Sequence, residues 1–157
     1  MVLGDFEGTI NPDYPLSGYP LFNAPQSVTA VISDAGYDVM DLAHNHILDS
    51  GLEGAFTTAD AFKEVGIDPV GVYENPVRDK APLFIKNVNG IKVAILSYAY
   101  GFNGLESNLT EKEIANHLSN LDEKRMKVEI ERSEKEADVT VIMPQMSVEY
   151  RLEPTDE

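Results

Sequence analysis

The chain has 157 residues, 43% of them hydrophobic and 25% charged, with 12 basic against 27 acidic side chains, a formal charge of −15 and no cysteine. A chain of this size fills one ordinary domain; its charge repels nucleic-acid backbones and anionic bilayers, and the lack of thiols excludes disulfides, thiolate zinc sites and cysteine nucleophiles. No apolar run approaches the roughly 20 residues of a membrane span, and Met1-Val2-Leu3-Gly4 lacks the basic start and apolar centre of a signal peptide, so the chain reads as soluble, with no membrane contact of its own.

Residues 1–6 read as a strand. The Pro-, Gly- and Tyr-rich stretch 10–23 is too irregular for either regular element, and loops this long are functional or well packed. Asn23 is expected to cap a helix with Pro25 in its first turn, an apolar face of Ala24, Val28, Val31, Ile32 and Ala35, and Gly36 just beyond its end. A short buried strand over 38–43 then runs into His44-Asn45-His46. Next comes a helix over about 52–65, with Leu52, Ala55, Phe56, Ala59 and Phe62 on one face. Gly36-Tyr37-Asp38 and Gly66-Ile67-Asp68 repeat one helix-to-strand junction, which predicts parallel strands with crossover helices. Residues 82–88 and 91–98, joined by Asn89-Gly90, predict a hairpin, so the sheet is expected to be mixed. Residues 97–109 read as a loop and 110–136 as mostly helical and charged, with a thin apolar stripe of Leu118, Leu121, Met126, Ile130 and Ala137. Residues 137–143 read as a last buried strand.

Three strand ends carry polar clusters: Asp5-Phe6-Glu7-Gly8, His44-Asn45-His46 with Asp49, and Gln145 with Glu149. Parallel neighbours would bring these to one sheet edge, where ligands of open α/β sheets bind. Carboxylate, amide oxygen and imidazole together suit a hard or borderline cation that polarises a phosphoryl or carbonyl group and acidifies bound water. The plainer reading of the same segment is a helix-capping loop, with Asp49 or Ser50 as N-cap and solvated histidines. His117 reads as a surface histidine on a polar helix. Asn108-Leu109-Thr110 matches a glycosylation sequon but is better explained by Thr110 as an N-cap. Tyr14, Tyr19 and Phe22 read as apolar anchors of the long loop, with a substrate groove beside Glu7 as the alternative. Gly101-Phe102-Asn103-Gly104 lacks the Lys-Ser/Thr of a phosphate loop.

Taken together, these residues resemble the CapA-type family of poly-γ-glutamate capsule-synthesis proteins, itself related to calcineurin-like metallophosphatases. The resemblance spans roughly 4–154. It is carried by Asp5-Phe6-Glu7-Gly8, similar to the family's Asn-Leu-Glu-Gly; by Ala43-His44-Asn45-His46 with Asp49 and Gly51, similar to Ala-Asn-Asn-His-x-x-Asp-x-Gly; and by Glu149-Tyr150. It implies an α/β fold in which a mixed sheet flanked by helices forms part of a metallophosphatase-like αββα sandwich, as one truncated domain over 1–157. It also implies a divalent metal ion (Mn, Fe, Zn or Mg). Glu7 stands at the bridging carboxylate and Asn45 at the amide ligand, with Asp5 and His44 beside them; His44 replaces the family's more usual Asn. The catalytic pair would be His46, whose imidazole stabilises or protonates the reacting oxyanion, and Asp49, which orients the loop. Gln145, Glu149 and Tyr150 fall where substrate contacts are expected, but the family's His-Trp-Gly-x-Glu-Tyr reads Gln145-Met146-Ser147-Val148-Glu149-Tyr150 here, an amide in place of an imidazole. The family's opening Gly-Asp strand and closing Gly-His-x-His have no counterpart, so the chain reads as a fragment, inactive alone, of a longer membrane-anchored protein on the outer face of a bacterial cell. Its expected partners are poly-γ-glutamate or a related anionic polymer, other capsule-synthesis proteins, and a second copy of itself through uncovered sheet edges. Two functions stay open: a metal-dependent hydrolase, or a non-catalytic module that guides the polymer.

Overall fold

A computed structural model describes residues 1–146 of the protein. Strand β1 (Leu3–Asp5) pairs in parallel with β2 (Val39–Asp41), and β2 in parallel with β3 (Asp68–Val70), giving a sheet of order β1-β2-β3. Helices α1 (Val28–Asp34) and α2 (Gly51–Glu64) supply its crossovers, so the repeated Gly-x-Asp junction marks two successive turns from helix into parallel strand. The second sheet has the order β4-β5-β6, from β4 (Ile85–Val88), β5 (Ile91–Ala99) and β6 (Val139–Gln145). Asn89 and Gly90 both lie in the left-handed region (φ 52° and 92°), as the tight turn joining antiparallel β4 and β5 requires, and β5 pairs with β6 in parallel. The α/β class and the mixed pairing hold; the local patterns alone read as one sheet, whereas the strands divide between two, as an αββα arrangement requires.

That division follows from strand alternation. On β2, Met40 packs towards the helices with Ala55, Ala59 and Phe62, whereas Val39 packs with Val70, Val93, Ile95 and Val141 between the sheets. On β5, Val93 and Ile95 face the first sheet, while Tyr98 reaches Glu129 on helix α4 (Glu123–Glu136) with its hydroxyl donating at 2.7 Å. The layers are therefore helices, sheet, sheet, helix. Both faces of β2 and β5 are buried, which is why these strands read as apolar runs without polar alternation.

Four local expectations need correction. Asn23 is not a helix cap: α1 begins at Val28, and Val31, read as core-facing, is 68% exposed. Strand β5 continues to Ala99, and the following loop contains a one-turn helix at Leu105–Asn108. The charged helical stretch is broken into α3 (Glu111–His117) and α4. Between them Ser119 N–H donates to Gly71 O, Ala99 N–H to Ser119 O and Leu121 N–H to Ala99 O, at 2.8–3.0 Å. These backbone groups stitch the end of β3 to the end of β5, and they cannot also serve an α-helix. Arg78 locks the junction from beneath, bidentate to Glu129 at 3.1 and 2.9 Å and donating to Leu118 O at 3.0 Å. His117, read as a surface residue, lies edge-on to Phe56 and its Nδ1 is 2.6 Å from Tyr73 O. Thr110 does cap α3, in a reciprocal box with Glu113. Among the described residues no helix is long and apolar enough to cross a membrane.

Candidate functional site

The carboxyl ends of β1, β2, β5 and β6 meet on one side of the molecule, where the segment leaving β2 is folded tightly. Ile47 N–H donates to His44 O, Asp49 N–H to His46 O and Gly51 N–H to Leu48 O, so 44–51 is a run of turns, and His44, Asn45, Ile47, Leu48, Asp49 and Ser50 are all buried. Ser50 does stand at the N-cap position of α2, but its side chain makes no capping bond: the hydroxyl donates to Thr9 Oγ1 at 2.7 Å, and Asp49 turns away from the helix.

Asp49 Oδ2 instead lies 2.8 Å from His46 Nδ1 and accepts Phe22 N–H at 2.6 Å. His46, with 12% of its side chain exposed, borders a groove of about 280 Å3 lined by Tyr19, Pro20, Leu21, Asn103 and Leu105. With Nδ1–H donating to Asp49, the tautomer is set and Nε2 is the atom available to take or give a proton on the groove side. The Asn103 amide nitrogen lies 3.4 and 3.5 Å from the two ring nitrogens, and its oxygen accepts from Asn45 Nδ2 at 3.0 Å. Asn45 N–H donates to Gln145 Oε1 at 2.6 Å, and Gln145 Nε2 returns a bond to Asn45 Oδ1 at 3.0 Å. A continuous chain of side-chain contacts thus runs Gln145, Asn45, Asn103, His46, Asp49. It joins two of the three predicted strand-end clusters and adds Asn103. Asn103 lies in a Gly/Asn loop whose only local signal is the Asn103-Gly104 pair, which marks a turn and not a site; Asn103 does adopt a positive φ of 55°.

The acidic end of β1 stands apart. Asp5 and Asp41 are register partners on β1 and β2. Burial pushes the Asp41 carboxyl up to about 7, with Asp5 adding to the rise, while hydrogen bonds from Ser97 Oγ and from Ala43 N–H (2.8 Å) oppose it. The Asp5 carboxyl is raised to about 6 by partial desolvation and then by Glu7. Glu7 is exposed and does not join the hydrogen-bonded set around His46 among the described residues. His44 is fully enclosed, and among the described residues neither ring nitrogen meets a partner at full hydrogen-bond geometry; burial, then the proximity of His46, lowers it to about 3, with the nearby Phe6 backbone opposing the fall. It is a neutral imidazole at any ordinary pH.

A divalent ion would need Asp5, Glu7, His44 and Asn45 to converge. Among the described residues no three His, Asp or Glu side chains are grouped to hold a metal ion. His44 is enclosed, and Asn45 Oδ1 already accepts from Gln145. The described residues therefore do not fit a metal centre by themselves. Glu149 and Tyr150, expected to contact substrate, lie outside the described residues. Tyr14 and Tyr19, read as loop anchors, are exposed; only Phe22 packs inward, its ring 4.6 Å from that of His46.

Comparison with known proteins adds a family. The model of the family described as bacterial capsule synthesis protein PGA_cap matches residues 1–157. The chain is similar to the capsule biosynthesis protein CapA of Bacillus anthracis, 38% identical over 80 residues, which is 51% of this chain and 19% of that protein. It is also similar to the PGA biosynthesis protein CapA of Bacillus subtilis (strain 168), 26% identical over 127 residues, 80% of this chain and 32% of that protein. The chain thus spans less than a third of the length of these curated relatives.

Proposed function

The chain belongs to the bacterial capsule synthesis protein family, and from that membership we propose that it acts on the capsule polymer poly-γ-glutamate through a hydrolase-type, proton-transferring site at His46 and Asp49. The observation that carries this reading is the His46–Asp49 pair at 2.8 Å beside an open groove. Asp49 holds the imidazole in one orientation and tautomer. His46 Nε2 then takes a proton from an attacking water or returns one to the leaving nitrogen of the polymer's amide link. Asn103, Asn45 and Gln145 keep the ring's surroundings fixed. In this reading the polymer and other capsule-synthesis proteins are the partners, and the work is done at the bacterial cell surface.

One observation favours a second reading, a module that guides the polymer without cutting it. Gln145 stands where the family carries an imidazole, and both ends of its amide are engaged by Asn45. The two readings separate in the full-length protein. Polymer chain length is followed by gel after incubation with wild type, His46→Ala and Asp49→Asn, and capsule is quantified in cells carrying the same variants. Hydrolysis predicts cleavage by wild type and a loss of about 100-fold or more with His46→Ala, with thermal unfolding little changed. Intact polymer with wild type, together with normal capsule in His46→Ala cells, would overturn the hydrolase reading in favour of the guiding one.

A further inference from the structure

The groove above His46 has walls of one chemical kind. Tyr19, Pro20 and Leu21 come from the long loop between β1 and α1, and Leu105 from the turn after β5; the polar lining groups are the Asn103 amide and the His46 imidazole. Among the described residues no Lys, Arg, Asp or Glu lines it. Tyr19 is 78% exposed and Leu21 46% exposed, so apolar surface faces water beside the proton-transferring pair.

This exposure is not the product of a loose loop. Asn23, only 5% exposed, anchors the loop from within: its amide nitrogen donates to Asn11 O, Tyr14 O and Pro15 O at 3.0–3.2 Å, and its oxygen accepts Asn11 N–H at 2.8 Å. Ser17 and Asn23 exchange two backbone hydrogen bonds at 3.0–3.1 Å. Phe22 N–H then fastens the loop to the same Asp49 oxygen that orients His46. The rings of Tyr19, Phe22 and His46 form a series with centroid separations of 6.4 and 4.6 Å. Wall and imidazole are held at a fixed spacing, which is how a preorganised recognition surface is built.

Charge decides what such a surface can accept. A γ-linked glutamate chain carries two methylenes and an amide in each backbone repeat and one carboxylate as a branch. In a chain of charge −15, a groove without a lysine or arginine among the described residues repels the carboxylates, whereas its apolar walls suit methylenes and Asn103 suits an amide. We infer that the groove recognises the uncharged backbone of the polymer, with Tyr19, Leu21 and Leu105 as specificity-determining residues and the carboxylates turned out to solvent. The inference rests on the reading of this groove as the polymer site, and it reverses the salt response expected of a polyanion binder.

The test uses full-length protein and two fluorescent probes: a γ-linked glutamate oligomer, and the same oligomer with every α-carboxylate converted to a primary amide. Binding is measured by anisotropy at low and high ionic strength, about 0.02 and about 0.3 M, between which screening becomes strong. The expected result is that the amide oligomer binds at least tenfold tighter at low salt. The acid oligomer should tighten several-fold as salt rises while the amide oligomer changes little. Tyr19→Ala should weaken both by about tenfold, with Tyr19→Phe retaining most of the affinity; because Tyr19 is exposed, thermal unfolding should not move. Tighter binding of the acid oligomer, weakening of its binding with salt, binding of neither probe, or indifference to Tyr19→Ala would each overturn the inference. The hydrolase reading fails separately: wild type that binds the amide oligomer as expected but never shortens the polymer leaves the recognition mode standing and removes the chemistry.

Discussion

At the scale of single residues, position relative to the layers sets the chemistry. His44 and His46 are two residues apart, yet one is enclosed and neutral and the other is paired with Asp49 at a groove. Asp41 is the more consequential carboxylate for stability. Its folded pKa of about 7 against an ordinary 3.8 means that the folded state holds the proton more tightly, so the associated stability is present below pH 4 and is lost as pH rises through about 7. Asp5, raised to about 6, acts in the same direction. His44, lowered from 6.5 to about 3, acts oppositely and loses stability as pH falls. Asp38 and Glu113 are held below the usual carboxylate range, by the Val2 backbone N–H and the Thr110 hydroxyl respectively, and act only in more acidic solution. Asp5 is exposed, so solvent screens much of its contribution, and between pH 4 and 6 Asp41 and His44 largely offset one another. Asp41→Asn should leave the His44 contribution uncovered, so that stability rises with pH in this range and the slope is more positive than that of wild type by close to one proton, about 1.4 kcal/mol per pH unit. Urea unfolding at a series of pH values gives both slopes, and an unchanged slope would sink the assignment.

At the scale of elements, the site depends on how closely the turns after β2 and β3 approach. Gly71 has φ +98°, and a Cβ there would lie 2.7 Å from the Ala43 backbone nitrogen, one residue before His44. Backbone cannot yield as a flexible side chain does, and the left-handed conformation adds its own cost. Gly71→Ala should therefore destabilise the fold by about 1–3 kcal/mol and disturb the His44–Asp49 turns, broadening or shifting the His46 imidazole resonances in NMR. A variant with wild-type stability and unchanged resonances would show that the turn relaxes freely. The strip at 118–121 belongs to the same scale. Its flanks are helical in composition, so the sequence predicts helix there, but Gly71 and Ala99 claim its backbone groups first.

At the scale of the whole molecule, two small sheets form one layered body because each buries a face on the other and a face under helices. Among the described residues β6 is paired on one side only, and Val139, Ile142 and Met146 are exposed along it. An apolar strand with an open edge invites another strand. The expected behaviour is association into dimers as concentration rises, seen in light scattering, with Ile142→Lys keeping the chain monomeric; a monomer at every concentration for the unsubstituted chain would refute it.

What the sequence determined by itself is what depends on neighbours along the chain. The repeated Gly-x-Asp junctions, the Asn89-Gly90 hairpin, the Thr110 cap and the gathering of His46 with Asp49 are all local patterns, in which a few adjacent residues carry the whole signal. The tertiary structure alone decided the rest. Gln145 bonds Asn45 across 100 residues of chain, Asn103 reaches the groove from the other sheet, and Asp41 becomes a weak acid because two sheets close over it. Each of these depends on the distance between layers, which side-chain packing sets and which no window of sequence contains.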